Sequence, residues 1–304
     1  MVGPTAVGKS TVALAIATRL HHAGCGAELV SADSMAVYRG MDLGTATPEG
    51  ATTSHVPHHL IDVADPTEEW NVARFQRAAR HAVAGIERRG RRAIVVGGTG
   101  LYVQALVDDL DLPAEYPSVR AELEAEADTA ALYERLRRVD PDAAERMESS
   151  NRRRIIRALE VTEGSGRPFS SSGPGLEAYP DTRYVLVGLD APVDVVDTAI
   201  EHRVGAMMEA GWLDEVERLL EVVDGDPTAL SRTASQAIGY RELLDHLAGS
   251  LSLDEATGAI ISRTRRFARR QRAWFRRDPR IRWFVHRGNP VSVVDDVLEH
   301  WTAP

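Results

Sequence analysis

Apolar positions along the 304-residue chain follow two different rhythms. Short apolar runs closed by glycine or polar residues occur at ELVSAD (28–33), RAIVVGGTG (92–100) and YVLVGLD (184–190). Runs of this length and setting predict strands of a parallel sheet that is covered on both faces. Between them a helical period takes over. TVALAIATRL follows residue 10, and NVARFQRAARHAVAGIERRG (71–90) is amphipathic. Alternating β and α segments predict an α/β core built as a doubly wound parallel sheet.

Past Pro113 the pattern turns to Ala/Glu/Arg-rich helix up to residue 163, with SVRAELEAEA, TAALYERLRRV and RRRIIRALEV, and then to the loop GSGRPFSSSGPG. A helical insertion is expected there. The organisation predicted is core at 1–112, insertion at 113–182, and core return with basic C-terminal helices at 183–304. Further helices are expected in VVDTAIEHRVGAMMEAGWLDEVERLLEVV, in SQAIGYRELLDHL, and from about Leu253 to Arg277. No internal repeat is visible.

The first residues bring chemistry into this frame. Gly3, Pro4, Thr5, Ala6, Val7, Gly8, Lys9 and Ser10 fit G-x-x-x-x-G-K-[ST], with Thr11 next and a helical run behind. Such a loop wraps phosphate oxygens with backbone N–H groups at a helix N-terminus; Lys9 adds a point charge and the Ser10 hydroxyl can hold Mg²⁺. An ordinary glycine turn is the bland alternative. Only Met1 and Val2 precede the loop, so the strand expected before it is either a short edge or begins upstream.

Composition adds weight to the phosphate loop. Of 36 Lys and Arg residues, 35 are Arg, and Lys9 is the lone lysine. A chain that uses Arg elsewhere has kept a compact ammonium at one place, where a planar guanidinium is no equivalent. At 43% hydrophobic and 27% charged, the chain can bury one substantial core plus a subdomain, which excludes a disordered polymer or a disulfide miniprotein. Cys25, the single cysteine, rules out an internal disulfide and a thiolate zinc cage, and is expected to be a small buried hydrophobe in a reducing compartment. No run of about 18 apolar residues and no leader pattern is present, so a soluble, unprocessed, cytoplasmic protein with no membrane partner is expected.

Net charge is −9, unevenly spread. Residues 259–304 hold 11 Arg against four acids, giving +7, and the remainder carries −16. From Arg263 to Arg282 the arginines interleave with Phe267, Trp274 and Phe275, and Trp283 comes next. A solvated helix would mix signs, so a polyanion surface such as RNA is favoured. Arg152, Arg153, Arg154 and Arg157 form a second basic cluster on the insertion.

Three smaller features complete the set. Asp33, at the end of ELVSAD, is placed either as a magnesium carboxylate or as a base. GGTGLY (97–102) offers backbone approach and the Thr99 hydroxyl at a strand's C-terminal end, though a plain strand-to-helix turn fits equally. His58 and His59 point to opposite sides of an extended strand and are expected to pack or cap, because that arrangement suits no single metal.

The ordered set GPTAVGKST, SADSMAVYRGMDLGTATP, HHLIDVADP, IVVGGTGLYVQAL, RRRIIRALEV, QAIGYRE and TRRFARRQRAWFRRDPRIRWF resembles the tRNA dimethylallyltransferase (isopentenyltransferase, IPP transferase) family from residue 3 to about 284. The resemblance implies a phosphate-loop NTPase-like core with a helical insertion. It also implies transfer of a dimethylallyl group from dimethylallyl diphosphate to the N6 amine of the adenosine 3′ to the anticodon of a tRNA. By motif, Gly3 to Thr11 would hold the diphosphate, Asp33 would act on the adenine amine, Thr99 would contact the reacting centre, and Arg203 would lie near the diphosphate. Asp33, Ser34, Met35, Ala36, Thr99, Arg120, Arg153, Arg154, Ile155, Ile156, Arg157, Gln236, Gly239, Tyr240 and Arg241 fall in segments that contact tRNA in the family, which implies the anticodon stem-loop as their partner. Arg265, Arg266, Arg269 and Arg270 are added from the charge pattern.

Mg²⁺ is the cofactor expected and a monomer the state expected. Ala36 stands where the family usually has Gln, so one base or backbone contact is missing from that side chain. A phosphate-loop small-molecule kinase is the competing enzyme reading, and a non-catalytic RNA-binding module is the third.

Overall fold

The computed structural model describes residues 1–47, 56–173 and 175–302. Pro48 of the GTATP motif and Pro174 of the Ser/Gly loop lie outside them. The chain divides into two compact units, Met1–Val107 with Asp181–Pro304, and Asp108–Pro180.

The larger unit is an α/β structure with a parallel sheet. It opens with α1 (Lys9–His22), β1 (Ala27–Ser31), β2 (His58–His59), α2 (Val72–Arg88), β3 (Arg92–Val96) and α3 (Gly100–Val107). Strand β1 lies between β2 and β3, parallel to both, with Leu29 opposite His58 and Ile94. Its first four residues are all buried, as a strand covered on both faces requires. Helices α1 and α2 both pack on β1 and β3. Each helix has a local cause: Val12, Ala13, Ile16, Ala17 and Leu20 form the buried stripe of α1, and Asn71 caps α2 by accepting the Arg74 N–H.

Met1 and Val2 are not an edge. Met1 donates its N–H to Val95 O (2.7 Å) and accepts from Gly97 N (3.2 Å), which pairs it with β3. On the other side Val2 N donates to Val187 O and Leu189 N donates to Val2 O, both at 2.8 Å. These two residues therefore join the first sheet to a second pair of parallel strands, β4 (Val187–Asp190) and β5 (Arg282–Val285). The expected weak edge is a central position, where two residues suffice because both neighbours satisfy their backbone groups.

The second unit holds α4 (Pro117–Ala125), α5 (Thr129–Val139), α6 (Pro141–Glu145), α7 (Arg152–Ser165) and a short 3₁₀ turn, Phe169–Ser171. Asp128, Asp140 and Asn151 cap α5, α6 and α7 through their side-chain oxygens. Its core is Leu123, Leu132, Leu136, Ile155, Leu159 and their neighbours.

The larger unit resumes after β4 with α8 (Val193–Glu209), α9 (Trp212–Val222), α10 (Arg232–Ser235), α11 (Tyr240–Leu247) and α12 (Leu253–Phe275), then β5 and α13 (Val294–Thr302). Gly239, at φ 97°, breaks the helix expected through SQAIGYRELLDHL, so α11 starts only at Tyr240. Cys25 is exposed, in the turn that leaves α1, and the expectation of a buried hydrophobe is corrected there. His58 Nδ1 lies 2.9 Å from Val56 O and His59 Nε2 lies 2.6 Å from the buried Glu28, so both serve packing on the sheet. No helix among the described residues is long and apolar enough to cross a membrane.

Candidate active site

Parallel strands carry their chain direction to one rim, and there the larger unit collects the residues singled out by chemistry. Met1 and Val2 run into the loop at 3–8, β1 runs to Asp33, and β3 runs to Thr99. Gly8 caps α1 in the left-handed region (φ 82°), and a Cβ there would lie 2.5 Å from Pro290. Ala6 also has positive φ (62°), an uncommon conformation for a residue with a Cβ and one that clusters at ligand loops. The N–H groups of Ala6, Val7, Gly8, Lys9 and Ser10 have no acceptor among the described residues. They form a row of donors at a helix N-terminus, the setting that favours an anion.

Two cations are tied to this loop, and one acid acts on both. Lys9 Nζ donates to Pro4 O (2.7 Å), closing the loop on itself. Burial lowers its pKa to about 8, with Asp33 pulling it up and Arg203 pushing it down. Arg203, on α8, donates to Thr5 Oγ1 (3.5 Å) and to Thr45 O (3.3 Å). Burial pushes its pKa down as well, and Asp33 opposes the shift. Asp33 therefore feels both cations, yet it forms an ion pair with neither among the described residues.

Asp33 is fixed by its own turn. Its Oδ1 accepts from Met35 N (2.8 Å) and Ala36 N (3.4 Å), an Asx turn that leaves Oδ2 available. Ser34 N donates to Thr99 Oγ1 (3.1 Å), which in turn donates to Ser34 Oγ (3.3 Å). Asp33, Ser34 and Thr99 thus form one hydrogen-bonded corner where two strands end.

Two residues not singled out from the sequence hold the corner to the loop. Gln271 of α12 accepts from Thr5 N (2.7 Å) and donates to Gly98 O (2.9 Å). A Cβ on Gly98 would meet its amide at 2.2 Å, so glycine is needed at that approach. His286 Nε2 donates to Val7 O (3.0 Å) while its Nδ1 accepts from Gly288 N (3.2 Å). Gln271 had a visible signal: an uncharged residue inside ARRQRAWF, three after Ala268 and four before Phe275 on the buried face. His286 had none.

The residues expected to meet RNA separate into groups. Ser34 and Met35 are half-buried beside Asp33, and Ala36 is buried. In the turn before α11, Gln236 and Arg241 are exposed, whereas Gly239 and Tyr240 are buried and shape the turn. In the second unit Arg153 and Arg154 are exposed. Ile155 and Ile156 offer no side-chain contact, because α7 turns them into that unit's core. Arg120 and Arg157 are engaged by the fully buried Glu160 at 3.3 and 3.1 Å, and Arg157 also donates to Pro113 O. On α12, Arg265 and Arg269 pair with Asp197 and Glu201 of α8. Arg266 donates to Ser262 and Arg270 lies over the Phe267 ring, and neither has an acidic partner among the described residues.

No group of three or more His, Cys, Asp or Glu side chains that could cage a metal occurs among the described residues. The exposed Ser10 hydroxyl, beside a donor row that suits phosphate oxygens, fits a magnesium ion carried mainly by phosphate and water oxygens.

A family model described as IPP transferase matches residues 36–278. A tRNA dimethylallyltransferase of Nocardioides sp. is 48% identical over 93% of this chain and 89% of its own length. One from Corynebacterium efficiens is 46% identical over 98% and 97%. Among solved structures, the tRNA isopentenylpyrophosphate transferase of Bacillus halodurans superposes with a TM-score of 0.69 at 36% identity, covering 98% of this chain and 94% of that one. A eukaryotic dimethylallyltransferase acting on tRNA gives 0.76 at 25% identity, over 93% and 72%.

Proposed function

The chain belongs to the IPP transferase family, and on that premise we propose that it is a tRNA dimethylallyltransferase. It takes dimethylallyl diphosphate and an anticodon stem-loop, joins the dimethylallyl carbon to N6 of the adenosine 3′ to the anticodon, and releases diphosphate. The observation that carries this reading is the row of unsatisfied loop N–H groups with Lys9 and Arg203 hydrogen-bonded to the same loop, and Asp33 held by its own turn and ion-paired to neither cation among the described residues. An anionic leaving group suits the donors and cations, and a neutral nucleophile suits an acid that no cation has neutralised.

An adenine amine is a poor nucleophile because its lone pair is delocalised into the ring, so it must be oriented and relieved of a proton. Asp33, held at Oδ1 by its turn, presents Oδ2 to take that proton, while Thr99 fixes the neighbouring Ser34 backbone and lines the reacting centre. The loop amides, Lys9 and Arg203 meet the charge that grows on the departing diphosphate; being desolvated, they act more strongly than they would in water. When bound, Mg²⁺ supplies further charge neutralisation on the diphosphate, with Ser10 as its protein contact. The core is read as phosphate-loop NTPase-like, with the loop serving as a diphosphate holder and no hydrolysis required.

The target base leaves its stack in a single-stranded loop at a cost of only a few kcal/mol, roughly. The exposed Arg241, Arg266 and Arg270 supply phosphate contacts, and the acidic remainder of the chain disfavours other docking faces. A cytoplasmic, monomeric enzyme goes with this reading.

Incubation with labelled dimethylallyl diphosphate, Mg²⁺ and unmodified tRNA, and then nucleoside analysis, tests it. Label in the adenosine next to the anticodon is expected. ATP turnover on a small molecule without tRNA, and no label in RNA, would hand the site to the kinase reading.

A further inference from the structure

Glu215, in the first turn of α9, is buried, and nothing in the chemistry above uses it. Its carboxylate accepts four hydrogen bonds. Oε2 receives Asp42 N (2.9 Å) and Leu43 N (2.8 Å), while Oε1 receives Gly44 N (3.3 Å) and the Tyr240 hydroxyl (2.6 Å). Four acceptor sites are all that a carboxylate offers, so none remains for a substrate.

The same corner closes around aromatic rings. Trp212 and Tyr240 are fully buried and meet edge to face, 5.8 Å apart. A Cβ on Gly44 would lie 2.4 Å from Trp212 Nε1, and one on Gly239 would lie 2.0 Å from the far side of that ring. The loop at 42–45 and the turn before α11 thus share one wall, with Glu215 as the polar anchor of both.

The next residue of the loop gives the anchor a direction. Immediately after Gly44, Thr45 accepts the Arg203 guanidinium at its carbonyl (3.3 Å) and ties its hydroxyl to Met41 O (2.6 Å). The other end of that guanidinium reaches Thr5 of the phosphate loop. We propose that Glu215 is a positioning residue. By fixing the backbone of 42–44 it sets the Thr45 carbonyl, and that carbonyl aims Arg203 at the diphosphate site; this rests on the reading of Arg203 given under the proposed function. Half of the guanidinium is held by one neutral carbonyl, so a shift of the loop turns the cation away from its anion without removing any group that touches it.

Binding of inorganic diphosphate, measured by calorimetry on the full chain, tests this in a double-mutant cycle of Glu215→Gln and Arg203→Ala. Glutamine keeps the size and one acceptor oxygen but sets an NH₂ group against the backbone donors. It is expected to weaken diphosphate about tenfold in the wild-type background and by less than about twofold where Arg203 is already alanine, the non-additivity of residues in one network. Tyr240→Phe, which deletes one hydroxyl, should act in the same direction by a smaller factor and carries the cycle if Glu215→Gln does not fold. With labelled prenyl substrate, the KM for dimethylallyl diphosphate should rise more than the KM for tRNA. An equal loss from Glu215→Gln in both backgrounds, or a lower melting temperature with unchanged diphosphate affinity, overturns the proposal and leaves Glu215 as a fold element. Unchanged affinity in Arg203→Ala alone would overturn the reading of Arg203 itself, and the proposal with it.

Discussion

Lys9 and Arg203 carry the same charge as Arg266 and Arg270, and little else about the two pairs agrees. The first pair lies at the strand ends, partly desolvated, with pKa values pushed down by burial and an acid within electrostatic reach. The second pair lies on the outside of α12, exposed, with no acid attached among the described residues. A desolvated cation acts on one small anion at close range, and its effect is nearly indifferent to salt. An exposed cation acts on a polyanion through counterion release, and salt weakens it directly. Arg241 belongs to the second field by its exposure; Arg263, half-buried and paired with the buried Glu242, stands between the two, its pKa lowered first by burial and then by Arg241, Arg266 and Arg270. On the function proposed, one charge sign would serve two kinds of recognition, divided by solvent.

The largest expected effect comes from removing the acid that faces the buried pair. Asp33→Asn should keep tRNA affinity and lose turnover by about 10²-fold or more, the range for a positioned proton acceptor. Single-turnover rates at saturating substrates check this. If turnover at saturation survives and only diphosphate or Mg²⁺ affinity falls, Asp33 belongs to the metal and the contrast between the two pairs loses its catalytic meaning.

Next in size is the half-buried lysine. Lys9→Arg keeps the charge but forces a planar guanidinium into a closed loop whose carbonyl at Pro4 already takes the ammonium, so kcat/KM should fall by about tenfold or more. Its titration gives a second measurement. With a pKa lowered to about 8, Lys9 is charged below that value and loses its charge as pH rises through it, so diphosphate affinity of the free enzyme should decline above about pH 8. The sign for stability is opposite: burying the charged form costs stability below pH 8, and that cost is relieved between pH 8 and the ordinary lysine value near 10.5. Lys9→Arg should abolish the inflection in affinity. Calorimetric titration with inorganic diphosphate from pH 7 to 9.5 reads the affinity of both proteins.

How much of this was legible in the sequence depends on whether a residue acts through its own pattern or through a distant partner. The loop at 3–10, the strands at β1, β3 and β4, and the helices α1, α2 and α12 announce themselves by local periodicity, and the structure has them within a few residues. Strand β5 does not, because RWFV is half-exposed and sits between arginines, so its charge conceals its pairing with β4. The central role of Met1 and Val2 was hidden for another reason. Two residues carry no period, and their place comes wholly from neighbours more than ninety residues away. Among the site residues proposed, Asp33, Lys9 and Thr99 are legible from motif chemistry and Gln271 from its uncharged place on the buried face of α12, while Glu215 and His286 act by contacts 171 to 279 residues distant and could not be read. Ile155 and Ile156 err the other way: a motif containing surface arginines drew in the core residues between them.

A smaller effect, confined to salt dependence, is expected from the exposed pair. If Arg266 and Arg270 each neutralise one phosphate, replacing both by Ala should flatten the slope of log affinity against log salt by roughly 1.4, at about 0.7 per contact for single-stranded RNA. Diphosphate affinity should not move. An unchanged slope would take the outer face of α12 out of RNA binding and leave Arg153, Arg154 and Arg241 as the exposed basic candidates.

The smallest effect is the one that tests the division most closely. Arg265 and Arg269 lie on the same helix, one residue from Arg266 and Arg270, and the sequence put all four on one footing. Helical geometry separates them: positions 265 and 269 turn toward α8, where Asp197 takes Arg269 at 2.8 Å and Glu201 takes Arg265. Their charge is already answered, so little counterion atmosphere is theirs to exchange with RNA. Arg265→Ala with Arg269→Ala should leave the salt slope unchanged. The melting temperature should drop slightly, by what partly exposed ion pairs contribute, at most about 1 kcal/mol each before screening. Measured beside the 266/270 double variant, this pair removes the same nominal charge from the same helix. A slope that falls equally in both would mean that the acids of α8 release their arginines when RNA arrives, and that total charge on α12 governs docking rather than which face carries it.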